Sequence, residues 1–159
     1  MYSLRYKKLS VRCSKMRKEN PVRYSSAVGE VWIMMTFKAK YCHPIFDFEE
    51  IRLYASKLFE EAFEKYGIRW KKKSFDSNHV HTLLDLGIMS KPEVAKKVKG
   101  YTARKLFQRF RWLKKRYFWG SGLWNPATDG RTGDILFYEK YLDKQKYGMA
   151  NQTRLTAFA

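Results

Sequence analysis

Ser77-Asn78-His79-Val80-His81-Thr82-Leu83-Leu84 reads as a β-strand near the middle of the chain. Side chains alternate faces along a strand, so His79 and His81 stand side by side while Val80 points the other way. Two imidazoles are thereby offered to one point. Neutral imidazole is a common metal ligand, and an ion held by two histidines usually takes a further protein donor and keeps positions open for substrate.

The elements on either side complete a pattern. Upstream, Glu30 to Lys40 is apolar and β-branched enough for a buried strand, which His43-Pro44 closes. Asp47, with Glu50 three residues on, is the expected N-cap of a helix that carries Ile51, Leu58, Phe59, Ala62 and Phe63 at helical spacing and stops at Gly67. Ile68 to Phe75 reads as a strand that forms an antiparallel pair with the histidine strand. Ser90 and Glu93 open a long basic helix, with Pro92 tolerated in its first turn. Arg111 to Trp119 follows as a short helical turn, Leu123-Trp124 as a strand running to Asp129-Gly130, and a last helix spans Asp134 to about Tyr147. The order β-α-β-β-α-β predicts an α+β, ferredoxin-like fold, an antiparallel sheet with helices on one face plus the terminal helix.

The chain has 159 residues, the size of one ordinary domain, with 33 Lys and Arg against 15 Asp and Glu. A formal charge of +18 calls for a polyanionic partner, with nucleic acid the first candidate. Residues 1–28 hold 8 of the cations and read as a basic extension, and residues 91–118 hold 11. The suspected DNA-binding element is the basic helix, residues 91–111, with Lys97, Arg104, Lys105 and Arg109 as its candidate contacts. Residues 29–147 form the expected domain and 148–159 a polar tail. No apolar run approaches the roughly 20 residues of a spanning helix, and Met-Tyr-Ser-Leu-Arg-Tyr-Lys-Lys lacks a signal peptide's apolar centre. The expectation is a cytoplasmic protein with no membrane partner, in which Cys13 and Cys42 are reduced bystanders.

On the last helix, Tyr141 and Gln145 are four apart and share a face. Tyr138 is the rival tyrosine, but its neighbour one turn on is Leu142, which neither binds metal nor positions a phosphate. Core packing is the ordinary role of a tyrosine at such spacing.

His79-Val80-His81, with Glu139-Lys140-Tyr141-Leu142-Asp143-Lys144-Gln145 far downstream, resembles the HUH-type single-tyrosine transposases of bacterial and archaeal insertion sequences, the TnpA type. The likeness runs from about Glu30 to Gln145 and includes Phe37-Lys38-Ala39-Lys40-Tyr41 and Leu123-Trp124-Asn125-Pro126. The resemblance implies that His79, His81 and Gln145 hold a divalent metal, Mg2+ or Mn2+, and that Tyr141 is the nucleophile. It further implies cleavage and rejoining of single-stranded DNA through a 5′-phosphotyrosine, hairpin-forming ends as substrate, and a homodimer. Asn78 departs from the acidic residue common before the first histidine. Two other readings stay open: a non-catalytic single-stranded nucleic-acid-binding module, and another HUH endonuclease of the replication-initiator or relaxase type.

Overall fold

The computed structural model describes residues 29–147. The expected basic extension 1–28 and the tail 148–159 lie outside the described residues. Four strands, β1 (Trp32–Lys38), β2 (Arg69–Phe75), β3 (His79–Asp85) and β4 (Asp129–Thr132), form one sheet in the order β2-β3-β1-β4. All three pairings are antiparallel. Helix α1 (Glu49–Lys65) connects β1 to β2, while α2 (Lys91–Arg109) and the short α3 (Arg111–Tyr117) connect β3 to β4. The last helix, α4, is Ile135–Asp143. This is the expected β-α-β-β-α-β order, with the histidine strand inside the sheet. Among the described residues no helix is long and apolar enough to cross a membrane.

Strand alternation sorts the sheet into two faces. Ile33, Met35 and Phe37 of β1, with Val80 and Leu84 of β3, face α1 and α2 and form the main core with Leu58, Phe59, Phe63, Val94, Val98 and Leu106. Trp32 and Met34 of β1 with Leu83 of β3 face the other way, onto Leu142, Ile135 and Tyr138 of α4. The second face of the sheet is therefore covered in part by the terminal helix rather than left open. His79 and His81 share this second face, on the opposite side of the sheet from the basic helix α2.

Three elements differ from the sequence reading, each for a physical reason. Asp47 does not cap α1: it ends a 3₁₀ turn, the N-cap position is Phe48, and the carboxylate instead accepts from Ser77, Lys146 and Tyr147. Ser90 does cap α2, accepting from the Glu93 N–H at 3.3 Å. Leu123-Trp124 is not a strand. It makes a single bridge to Ala39, and the Trp124 ring is driven into the core against Phe37, Phe46 and Phe59. The fourth strand is the polar Asp-Gly-Arg-Thr at 129–132, an edge strand paired with β1. Helix α4 ends at Asp143 rather than near Tyr147, because Tyr147 pairs its backbone with Phe75 across two hydrogen bonds of 2.9 and 3.4 Å.

One lysine among the described residues is buried against the main core. Lys73 is 1% exposed, on the α1 face of β2, where its ammonium pairs with Glu60 and lies 4.5 Å from the centre of the Trp70 ring. Burial pushes its pKa down, and the Glu60 carboxylate opposes that shift. A buried charge is tolerated when paired and penalised when its partner is removed. Glu60→Ala is therefore expected to lower the unfolding free energy by about 1–3 kcal/mol in urea titrations. Lys73→Met, which fills the same space without a charge, should be neutral or stabilising. A larger loss in Lys73→Met than in Glu60→Ala would contradict this ordering.

Candidate functional site

The site is built on the register of the two central strands. Thr36 pairs with His81 and Lys38 with His79 across β1 and β3, and Asp129 of β4 lies opposite Thr36 on the other side. Residues directly opposite in an antiparallel pair point to the same face. Thr36, His79, His81 and Asp129 are thereby gathered at one end of the second face.

The imidazoles converge. Their Nε2 atoms are 3.0 Å apart, while the outer nitrogens are both occupied: His79 Nδ1 lies 2.7 Å from Asn78 Oδ1, and His81 Nδ1 lies 2.8 Å from Thr36 Oγ1. An amide oxygen only accepts, so His79 must donate through Nδ1 and present a lone pair at Nε2. With both rings neutral, one proton arrangement satisfies every contact. His81 donates Nε2–H to His79, and the Thr36 hydroxyl donates to His81 Nδ1. Burial lowers both pKa values; in His81 burial and then the neighbouring His79 bring the value to about 4, against the opposing pull of Asp76 and Asp129. The pair is neutral at physiological pH, the form that ligates metal.

These residues fit a divalent cation. Taking one between the two Nε2 atoms requires His81 to carry its proton on Nδ1 instead. A hydroxyl both donates and accepts, so Thr36 can turn to receive that proton, and only the hydrogen bond between the two Nε2 atoms is given up. Asn78 likewise supplies the oxygen acceptor that an acidic residue would supply. Among the described residues no group of three His, Cys, Asp or Glu side chains is placed to hold a metal ion.

Tyr141 is brought to the pair. Ile135, Tyr138 and Leu142 of α4 pack on the sheet, and Tyr141, at the edge of that face, sets its ring 5.5 Å from the His81 ring, edge to face. It remains 40% exposed, so its phenol is open to a ligand. Tyr138 is distinguished from it by contact. Its hydroxyl donates to the Thr132 carbonyl at 3.1 Å, and its ring lies over Gly133, where an added Cβ would fall 2.6 Å from the phenolic oxygen. Gln145 sits two residues past the end of α4, half-buried, its N–H bonded to the Leu142 carbonyl at 3.3 Å. Its side chain makes no hydrogen bond to either imidazole, and the shared helical face expected of Tyr141 and Gln145 does not hold beyond Asp143.

Helix α4 is seated at both ends. Asp134 caps its start, accepting from the Leu136 N–H at 2.9 Å. Lys72 of β2 donates to Asp143 Oδ2 at 2.8 Å and to the Glu139 carbonyl at 3.4 Å. Beyond the helix, the Tyr147 ring lies over Arg52 of α1, 3.8 Å from its Cζ, and its hydroxyl donates to Asp47 at 2.8 Å. Lys146 donates to the same carboxylate oxygen at 3.0 Å. Sequence reasoning passed over Thr36, Asp129, Lys72 and this Asp47 cluster, because each acts through pairings between segments far apart in the chain.

Comparison with known proteins bears on the family and the fold. Residues 27–131 match the family described as IS200-like transposases. A crystal structure of a protein from Deinococcus radiodurans assigned as a transposase is 22% identical, with a TM-score of 0.65 over 80% of this chain and 99% of that one. A tyrosine transposase solved with a REP hairpin is 11% identical, with a TM-score of 0.49 over 77% of this chain and 68% of that one. No curated protein sequence matches the chain.

The Asp47 cluster makes a prediction of its own. Partial burial acts to raise the Asp47 pKa, but hydrogen bonds from Lys146, Ser77 and Tyr147 outweigh it and hold the carboxyl below its ordinary value. A depressed carboxyl contributes stability above its unfolded pKa, about 3.9, and loses it as pH falls through the folded value. Asp47→Ala is expected to speed amide exchange over residues 135–143 roughly tenfold at pH 7, with little change in α2. The difference should shrink below about pH 4. Uniform acceleration across the whole domain would mean that Asp47 supports the fold rather than the seat of α4.

Proposed function

Because the chain belongs to the IS200-like transposase family, we propose that it cleaves and rejoins single-stranded DNA with Tyr141 as nucleophile and a divalent metal, Mg2+ or Mn2+, at His79 and His81. One observation carries this reading: two neutral imidazoles aimed at one point, each oriented from behind, with a partly exposed phenol beside them. Purely structural histidines do not call for that convergence. Gln145 is the proposed third ligand, reached by movement of the turn after α4.

In this reading the Tyr141 phenolic oxygen attacks the phosphorus of a phosphodiester. The bond from phosphorus to O3′ breaks, the departing oxygen gains a proton to become a 3′-hydroxyl, and the phosphate stays on the tyrosine as a 5′-phosphotyrosine. A bound divalent ion would supply positive charge against the non-bridging phosphate oxygens, offsetting the repulsion that an anionic diester presents to a nucleophile. One ester replaces another, so the bond energy is retained and a second 3′-hydroxyl can reclaim the strand without ATP. Lys38, exposed at the His79 end of β1, and Arg131, which pairs with Asp129 at 2.6 Å, are placed to meet phosphate charge. Hairpin-forming ends are the proposed substrate. A homodimer is part of the same proposal, with the exposed Leu136 and Phe137 on the outer side of α4 offering apolar surface to a second copy.

The test uses single-stranded DNA carrying the sequences that flank the gene, incubated with Mg2+ or Mn2+ and run on a denaturing gel. A covalent adduct is expected that disappears in Tyr141→Phe and falls by two orders of magnitude or more in His79→Ala and His81→Ala. Binding without an adduct under every metal condition would instead favour a non-catalytic single-strand module.

Calorimetry with Mn2+ addresses the metal separately. Thr36→Val should weaken binding by about 10- to 100-fold, the usual cost of losing a group that orients a ligating histidine, while Thr36→Ser stays near the parent. Equal affinity in Thr36→Val would remove the hydroxyl from the site.

A further inference from the structure

Beyond the histidine pair, the end of β1 carries an arrangement that the proposed chemistry does not use. The chain leaves the sheet through Ala39, whose N–H donates to the Asn78 carbonyl at 2.8 Å, and enters the turn Lys40–Cys42. Tyr41 (φ 61°) and Cys42 (φ 56°) are consecutive left-handed residues, and neither is glycine. Side-chain-bearing residues rarely adopt that conformation, and strain of this kind gathers at binding sites. Its effect here is to hold the Tyr41 ring 64% exposed beside His43, at 5.9 Å. His43 lies 5.0 Å from Tyr117 of α3, and Phe48 lies 5.4 Å from Trp112 of the same helix. Trp112 is 39% exposed, and Trp119, just past α3, is 81% exposed. The contacting rings form an apron from the β1 exit to the start of α3, and the exposed Trp119 follows two residues past the helix end.

Cations are interleaved with it. Helix α3 is Arg-Trp-Leu-Lys-Lys-Arg-Tyr, without an acid, and Lys40 and Arg116 lie 5.4 and 5.1 Å from the Tyr41 and Tyr117 ring centres. Exposed aromatic area of this extent marks a surface that meets something. Flat rings with intervening cations complement unpaired bases joined by phosphates, because every base has a face to stack and every linkage a charge to neutralise. A duplex keeps its bases stacked on each other and has use only for the cations. The Tyr41 end of the cluster leads toward the histidine pair. Tyr41 is three residues beyond Lys38, a span of at most about 11 Å, and Lys38 pairs with His79 about 5 Å away across the sheet.

We propose that Tyr41, Trp112 and Trp119 form a stacking subsite for unpaired DNA nucleotides next to the phosphate held at the histidine pair. The assignment rests on the reading of the protein as one that acts on single-stranded DNA. It concerns binding, however, and can fail or succeed apart from cleavage.

The test is equilibrium binding of the full chain to a 12-nucleotide oligo(dT) and to a blunt duplex of equal charge, in EDTA so that no metal-dependent cutting occurs, read by tryptophan quenching and fluorescence anisotropy. Trp119→Ala, at an exposed position, and Tyr41→Asn, whose new side chain tolerates the left-handed backbone, are the variants. Each is expected to weaken oligo(dT) binding about tenfold, leave duplex binding within twofold, and keep the salt dependence of the parent, since no phosphate contact is removed. Circular dichroism should show both folded. Equal losses on duplex, or unchanged oligo(dT) affinity in both variants, would overturn the subsite. So would a change from dimer to monomer in Trp119→Ala by sedimentation, which would assign the apron to a second copy of the chain. A parent protein that forms no adduct with Mg2+ or Mn2+ yet binds oligo(dT) through these rings would count against the cleavage reading alone.

Discussion

The pairing of β1 with β3 is the constraint on which the rest of the molecule depends. Thr36 opposite His81 and Lys38 opposite His79 is a register, and a slip of one residue would exchange the two faces of the strand. Val80 and Leu84 would then leave the main core, and both imidazoles would be thrust against α1. The burial of Ile33, Met35 and Phe37 between the sheet and the crossover helices holds that register. Hydrophobic burial on one side of the sheet thus decides the alignment of polar groups on the other. The aromatic packing of Phe37, Phe59 and Trp124 at the β1 exit has the same consequence, since it anchors the strand where the histidines begin.

Helix α4 is held by a different kind of contact. Its one buried side chain is Leu142, and it relies on Lys72, the Tyr138 hydroxyl and the cluster around Asp47 to fix its position. Exposed ionic contacts of this sort are individually weak and sensitive to salt. The two halves of the site therefore differ in rigidity. The histidines ride on the most buried strand of the sheet, while the tyrosine rides on an element held by one buried side chain and by polar contacts at its ends.

Much of this was legible in the sequence wherever periodicity and burial agree. The alternation in His79 to Leu84, the helical recurrence from Ile51 to Phe63 and the cap at Ser90 all led to the observed elements. The misread positions share a cause. Leu123-Trp124 has strand-like composition but is a wedge for the core, whereas the true edge strand, Asp129–Thr132, is four polar or small residues with no apolar rhythm to detect. Asp47 has the form of a cap, yet its partners lie at 77, 146 and 147. The end of α4 is decided by Tyr147 pairing with Phe75, a long-range event that helix propensity does not register. Thr36 is an unremarked residue in an apolar strand until the sheet sets it behind His81.

The chain of donors from Thr36 through His81 and His79 to Asn78 closes within the protein. In many small metal domains the fold depends on the metal that its ligands hold. Here every imidazole nitrogen has a protein partner and the strand beneath is fixed by the core, so the fold of this face and the chemistry proposed for it are separable properties. A copy that has lost its chemistry through one substitution can persist as an intact, strongly basic protein.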